Sequence, residues 1–208
     1  MVGENKSFVG PDERAFVELR ELNRQILNLM RLQAFAEDAG AHGRPIFVAL
    51  REPWACLGAE AIARAAAACP CLLADFGFMD ARRWSAVAND LVQDQERMPQ
   101  FFDVVEADAV ARAVLTEAWH YARTRGVLLG LFGIPNRVAL IIERCSQTQI
   151  LALAERHGGW LQPRWPARVW FWEGLLKAAV DGEENALRRC GAQAAQLLAA
   201  QIAHGERL

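Results

Sequence analysis

Residues 137–176 read RVALIIERCSQTQILALAERHGGWLQPRWPARVWFWEGLL, and residues 47–87 read FVALREPWACLGAEAIARAAAACPCLLADFGFMDARRWSAV. Both stretches open on Val-Ala-Leu, and a later isoleucine and tryptophan keep the same order. Ile62 and Trp84 lie 14 and 36 residues after Val48, and Ile150 and Trp172 lie 12 and 34 residues after Val138. Both spacings are two residues shorter in the second stretch, which indicates a single deletion in a turn. This ordered series predicts a tandem duplication.

Helical periodicity dominates the chain around these two stretches. Apolar residues recur near a period of 3.6 over residues 12–38, and glycines follow directly. A second long helix is predicted over 104–125, ended by Gly126. Alternating strand patterns are almost absent, which argues against a large sheet. We therefore predict an all-α fold with about 60–70 % helix, well above the usual third, and short extended pieces at 71–78 and 159–165.

The two stretches, each with the helix before it, define the expected organisation. Residues 1–92 are predicted to form one helical unit with a helix-turn-helix and a short extended segment. Residues 104–180 are predicted to form a second unit of the same kind, and residues 181–208 a C-terminal helix. Pro99 interrupts the pattern and marks a predicted linker at about 93–103.

The helix-turn-helix of the second unit is the better defined of the two. Pro135 suits a helix start, because the first N–H groups of a helix lack intrahelical partners. Ser146 and Gln149 have capping-box spacing for a second helix that Gly158 ends. Such a pair of helices reads DNA in many regulators, but helical hairpins are also generic devices for building a core. The candidate DNA contacts are Gln147, Gln149, Arg156, Arg164 and Arg168.

Residues 137–176 resemble the carboxy-terminal two-thirds of the flagellar transcriptional regulator FlhD. The shared order is a Leu/Ala-rich helix, a turn with Ser or Thr before Gln, an apolar Leu-Ala helix, an extended aromatic stretch and a final helix. Residues 48–87 resemble it too, with CLLADFGF closest to the extended segment. The resemblance implies an all-α protein that self-associates or joins a protein partner and contacts double-stranded DNA. The duplication, the added C-terminal helix and the acidic balance depart from the family pattern.

A tryptophan-rich segment at 160–172 supports a second hypothesis. Four tryptophans interleave with Arg164 and Arg168, and such a pattern suits either a core or a surface that binds a partner. Trp165 and Trp170 are the two rings expected to be exposed. The helix over 183–204 carries an apolar stripe that packs on its own domain or on a second subunit. The candidate interface residues are Trp165, Trp170, Leu187, Ala194 and Leu198.

Composition and charge exclude several classes of protein. A formal net charge of −2 gives no strong basic field for non-specific binding of nucleic acid. No run reaches the ~18 to 20 apolar residues that span a bilayer, and the first residues lack the apolar core of a secretory signal. Five cysteines, an odd number, fit a reducing compartment better than a disulfide framework. We expect a cytoplasmic protein without membrane contact.

Chemistry-bearing motifs are not evident in the sequence. Cys69 and Cys71 are too closely spaced for a usual structural zinc site, and the four histidines lie far apart. Phosphate-binding loops and nucleophile motifs are missing as well. We therefore predict no metal, no cofactor, no small-molecule substrate and no enzymatic activity. Two functional hypotheses stay open: an FlhD-like transcriptional regulator in an oligomeric complex, or a protein-binding adaptor without DNA binding that docks through 160–172.

Overall fold

The computed structural model describes residues 11–36, 44–88, 100–102, 105–124 and 128–205. Helices dominate these residues and confirm the all-α prediction. The elements in chain order are α1 Pro11–Ala34, α2 Pro45–Val48, α3 Arg51–Cys56, α4 Ala59–Ala68, β1 Ala74–Asp75, α5 Ala81–Ala88, α6 Glu106–Thr124, α7 Leu128–Leu131, α8 Asn136–Arg144, α9 Gln147–His157, β2 Gln162–Pro163, α10 Val169–Asp181 and α11 Glu184–Gly205. Most of the linker predicted at 93–103, and the glycines predicted to end the long helices, lie outside the described residues.

The two extended segments predicted from the sequence pair with each other. β1 runs antiparallel to β2, with Ala74 opposite Pro163 and Asp75 opposite Gln162. When the two stretches are aligned on their tryptophans, Ala74 falls on Gln162 and Asp75 on Pro163. A two-fold rotation would therefore exchange the strands and leave their pairing unchanged. The tandem duplication itself stays a prediction, and this register is the one it would produce.

Backbone geometry beside the strands follows the same alignment. Gly77 and Trp165 occupy aligned positions, and both have a left-handed backbone, with φ of 67° and 53°. Glycine adopts this conformation without strain, whereas tryptophan does not. In each half, the indole N–H of the following tryptophan donates to a backbone carbonyl of the extended segment over 3.1 Å: Trp84 to Gly77 O and Trp172 to Arg164 O.

Packing joins the two predicted units into one apolar core. Helix α4 lies on α1 and α9 lies on α6, while α10 packs on α3 and α5 packs on α8. Three of the largest fully buried side chains are Trp54, Trp84 and Trp172. The last helix of each predicted unit, α5 or α10, therefore packs on a helix of the other unit.

Helix α11 uses its apolar stripe within this chain. It packs on α10 and α4, and Gly182, with φ of 72°, makes the turn between α10 and α11. Leu187, Ala194 and Leu198 keep only 7 %, 0 % and 4 % of their surface exposed. Their proposal as partner-interface residues is wrong, because the stripe is already covered by the protein's own core.

Asn23 is a buried polar residue that sequence reasoning did not single out. Its amide N–H donates to Cys71 O over 2.9 Å, and its amide oxygen accepts from Leu73 N over 2.8 Å. The side chain is fully buried, so no water can replace these bonds. Asn23 thus fixes the start of the extended segment against α1.

Asn23→Leu should lower the free energy of unfolding by about 2–3 kcal/mol, because it leaves a buried N–H and a buried C=O without partners. Urea denaturation measures this loss. The matched control is Asn28→Leu on the same helix, where the partly exposed amide donates to the Arg24 carbonyl. Equal stability of the two variants would show that the bonds of Asn23 do not hold the segment.

Candidate functional site

The predicted helix hairpin of the second unit is present at α8 and α9. Gln149 N donates to Ser146 Oγ over 3.2 Å, and Ser146 N donates to Gln149 Oε1 over 2.8 Å, which completes the predicted capping box. Ile150 and Ala154 bury one face of α9, which packs on α6. The cap and the buried face together fix which side chains α9 turns outward.

The structure separates the five candidate DNA contacts. Gln147, Gln149, Arg156 and Arg168 are exposed, whereas Arg164 is not. Gln149 and Arg156 share the open face of α9, and Arg168 lies at the start of α10. The fold therefore brings only two of the five candidates to one surface.

Arg164 is a core residue, and its prediction as a DNA contact is wrong. Only 1 % of its surface is exposed. Its Nε donates to Leu72 O over 2.8 Å, its Nη2 to Phe132 O over 2.5 Å, and its Nη1 to Gln201 Oε1 over 3.3 Å. The reason is the pairing of β1 with β2, which carries residue 164 into the centre of the molecule.

The tryptophan-rich segment is mostly buried as well. Trp172 is fully enclosed, and Trp165 is partly buried, with its indole N–H bonded to Gln201 Oε1 over 3.1 Å and its edge against Phe171. The expectation that Trp165 is an exposed ring is therefore wrong. Trp170 keeps 50 % of its surface exposed, as predicted. One open ring does not make the continuous docking segment expected over 160–172.

A groove of about 570 Å³ lies between α5, α8 and α9. Its apolar part includes the buried Trp84 together with Ile141 and Leu153, and Arg144 and Arg156 are exposed in its wall. Among the described residues that line it, two are arginines and none is an aspartate or glutamate. The described residues that line it are Trp84, Ser85, Val87, Ile141, Arg144, Cys145, Gln149, Ala152, Leu153 and Arg156.

The contribution of α9 to this groove has helical spacing. Gln149, Ala152, Leu153 and Arg156 follow the i, i+3, i+4, i+7 pattern of one helix face, which extends about 10 Å along the axis. The opposite face of α9 packs on α6, and this stripe borders the groove, with Ala152 and Leu153 partly buried and Gln149 and Arg156 exposed. Sequence reasoning identified Gln149 and Arg156 but missed the groove, since the side chains of α5 complete it.

No protein-family model, curated protein or solved structure matches this chain. The resemblance to FlhD therefore stays a prediction that rests on the residues quoted above. None of the described helices has the length and the apolar character that crossing a bilayer requires. The groove between α5, α8 and α9 is therefore the best-defined candidate site among the described residues.

The cysteines lie in apolar surroundings. Burial raises the pKa of Cys71 to about 11, and it raises the pKa of the fully buried Cys69 well above its usual value. Burial also raises the pKa of Cys145 and of Cys190. A raised pKa keeps a thiol protonated and unreactive at neutral pH. In the part of the chain that the structure describes, no three His, Cys, Asp or Glu residues are grouped to hold a metal ion.

A thiol reagent should modify Cys56 rapidly and leave the other four cysteines unmodified in the folded protein, because Cys56 alone is exposed. Reaction with a disulfide dye at neutral pH measures this as one fast equivalent and four more after denaturation. Cys56→Ser should remove the fast phase. Rapid reaction of any thiol in that variant would contradict the burial of the remaining four cysteines.

Proposed function

We propose that this chain is a non-enzymatic regulatory protein that works as a protein-binding module, with its partner docked in the groove between α5, α8 and α9. The observation that supports this proposal is the groove itself, where Ala152 and Leu153 of α9 lie between the exposed Gln149 and Arg156. Grooves that combine apolar side chains with charged side chains at the edge suit the docking of a protein partner.

Protein is favoured over DNA by the shape of the site. A helix that reads DNA must protrude far enough to enter a major groove about 12 Å wide. Gln149 and Arg156 instead line a concavity beside α5. The net charge of −2 gives no long-range attraction to phosphate.

DNA contact remains the second candidate because of the N-terminal turn of α9. Gln147, Thr148 and Gln149 are exposed there, outside or at the edge of the groove, and the capping box holds the turn in place. In helix-turn-helix regulators, this end of the second helix contacts base edges. The FlhD resemblance points in the same direction, toward a regulator in an oligomeric complex.

Site-specific photo-cross-linking tests the docking site directly. A photoreactive phenylalanine analogue placed at Val87 or Ala152, which line the groove, should give one discrete protein adduct in the cells that produce the protein. The same analogue at exposed Gln193 on α11 serves as the matched control and should give none. Absence of adducts at both groove positions, together with salt-dependent binding of a mixed-sequence duplex, would favour the second candidate.

A further inference from the structure

We infer that the occupant of the groove is an amphipathic helix of a partner protein that carries carboxylates beside its apolar stripe. This inference rests on the proposed function and specifies its partner. It follows from two independent features of the molecule: the way α11 covers the other half of the fold, and the charge of the groove wall.

The first feature is that one helix of this chain, α11, already lies on the helix pair α10 and α4, which corresponds to the pair beside the groove. In the alignment on Trp84 and Trp172, α5 corresponds to α10, and α9 corresponds to α4. The contacts agree in part, because α5 packs on α8 as α10 packs on α3, but α10 also packs on α4 whereas the described residues of α5 and α9 are separated by the groove. Helix α11 lies on α10 and α4. The corresponding pair, α5 and α9, flanks the open groove, and no described helix lies there in the way that α11 lies on its own pair.

The two helix pairs differ in the side chains they offer. Helix α11 approaches α4 so closely that a Cβ on Gly191 would lie 2.3 Å from Ala68 O. The alignment places Arg156 at the position of Ala68 and Leu153 at that of Ala65. A helix with the small-residue face of α11 therefore suits α4 but not α9. The occupant of the groove needs a larger apolar stripe and a way to pair with Arg156.

The second feature is the charge of the wall. Arg144 and Arg156 are exposed in the groove lining, and no lining carboxylate accompanies them among the described residues. The neighbouring Glu155 contacts Arg112 over 3.5 Å, on the side of α9 toward α6. Carboxylates on the partner would pair with both arginines, which steers association and fixes the register of the helix.

Two synthetic peptides test this inference on the full chain. Both are helical and carry the same leucine stripe, but one has glutamate and the other lysine on its polar face. Fluorescence anisotropy should show the acidic peptide binding at least about tenfold more tightly. The double variant R144E/R156E should reverse the preference. R168E changes an exposed arginine outside the groove and should leave the preference as it is.

The outcomes separate this inference from the proposed function. Equal affinity for the two peptides, or no peptide binding while groove cross-links still form, overturns the acidic helix and leaves the docking site in place. Loss of both peptide binding and cross-links overturns both proposals. Displacement of the acidic peptide by a mixed-sequence duplex overturns the helix in favour of DNA. An unchanged peptide preference in R144E/R156E also overturns the inference.

Discussion

Replacing Arg164 by methionine should lower the free energy of unfolding by about 3–5 kcal/mol, because two buried carbonyls then lose their charged donor. The guanidinium bonds Leu72 O and Phe132 O, which belong to different halves of the chain. It is also tightly enclosed, since a Cβ on Gly133 would lie 2.6 Å from its Nη1. Methionine fills much of the volume but satisfies neither carbonyl. Urea denaturation followed by circular dichroism measures the loss.

Arg168→Met is the matched control for this substitution. Arg168 belongs to the same segment but is exposed, so its replacement should change stability by no more than about 0.5 kcal/mol. A loss below about 1 kcal/mol for Arg164→Met would contradict the buried role. Unchanged stability together with weaker DNA binding would restore Arg164 as a DNA contact.

Gly191→Ala should destabilise the protein by about 1–3 kcal/mol, as overpacking of a tight core does. In most helix interiors the same substitution stabilises the protein, because alanine is favoured over glycine there by about 1 kcal/mol. The cause is the backbone of α4, since the added methyl group would lie 2.3 Å from Ala68 O and α11 would have to move. Thermal unfolding of the variant measures the effect.

Gly174→Ala provides a control at the neighbouring contact, where α10 packs on α11. Gly174 lies within α10, and the nearest group to an added Cβ is Cys190 Sγ at 3.8 Å, an ordinary contact. This substitution should be neutral or stabilising by up to about 1 kcal/mol. If Gly191→Ala proved as stable as Gly174→Ala, α11 would not lie against Ala68, and the precedent for a helix in the groove would be lost.

Local patterns in the sequence predict the local structure of this chain well. The capping box at Ser146 and Gln149 fixes the start of α9, because both hydrogen bonds involve residues three positions apart. Pro135 stands at the start of α8 and Gly158 at the end of α9, and the preferences of both residues for helix ends depend only on the adjacent backbone. The extended segments are also local, since turn residues and bulky apolar side chains interrupt the helical period there.

Exposure depends on long-range pairing and could not be predicted in the same way. The local pattern around Arg164 does not reveal its burial, because the pairing of β1 with β2 produces it. The sequence locates the apolar stripe on α11, but whether the stripe faces this chain or another depends on α4, more than 100 residues earlier. The groove escaped prediction because three helices from both halves form it.

The most direct test of the acidic partner helix is the ratio of dissociation constants for the lysine and glutamate peptides, measured by anisotropy on the wild-type chain and on R144E/R156E. A ratio above about 10 for the wild type and below 1 for the double variant is the expected result, because the two arginines supply the groove's charge. A ratio that stays the same in both proteins would contradict the account.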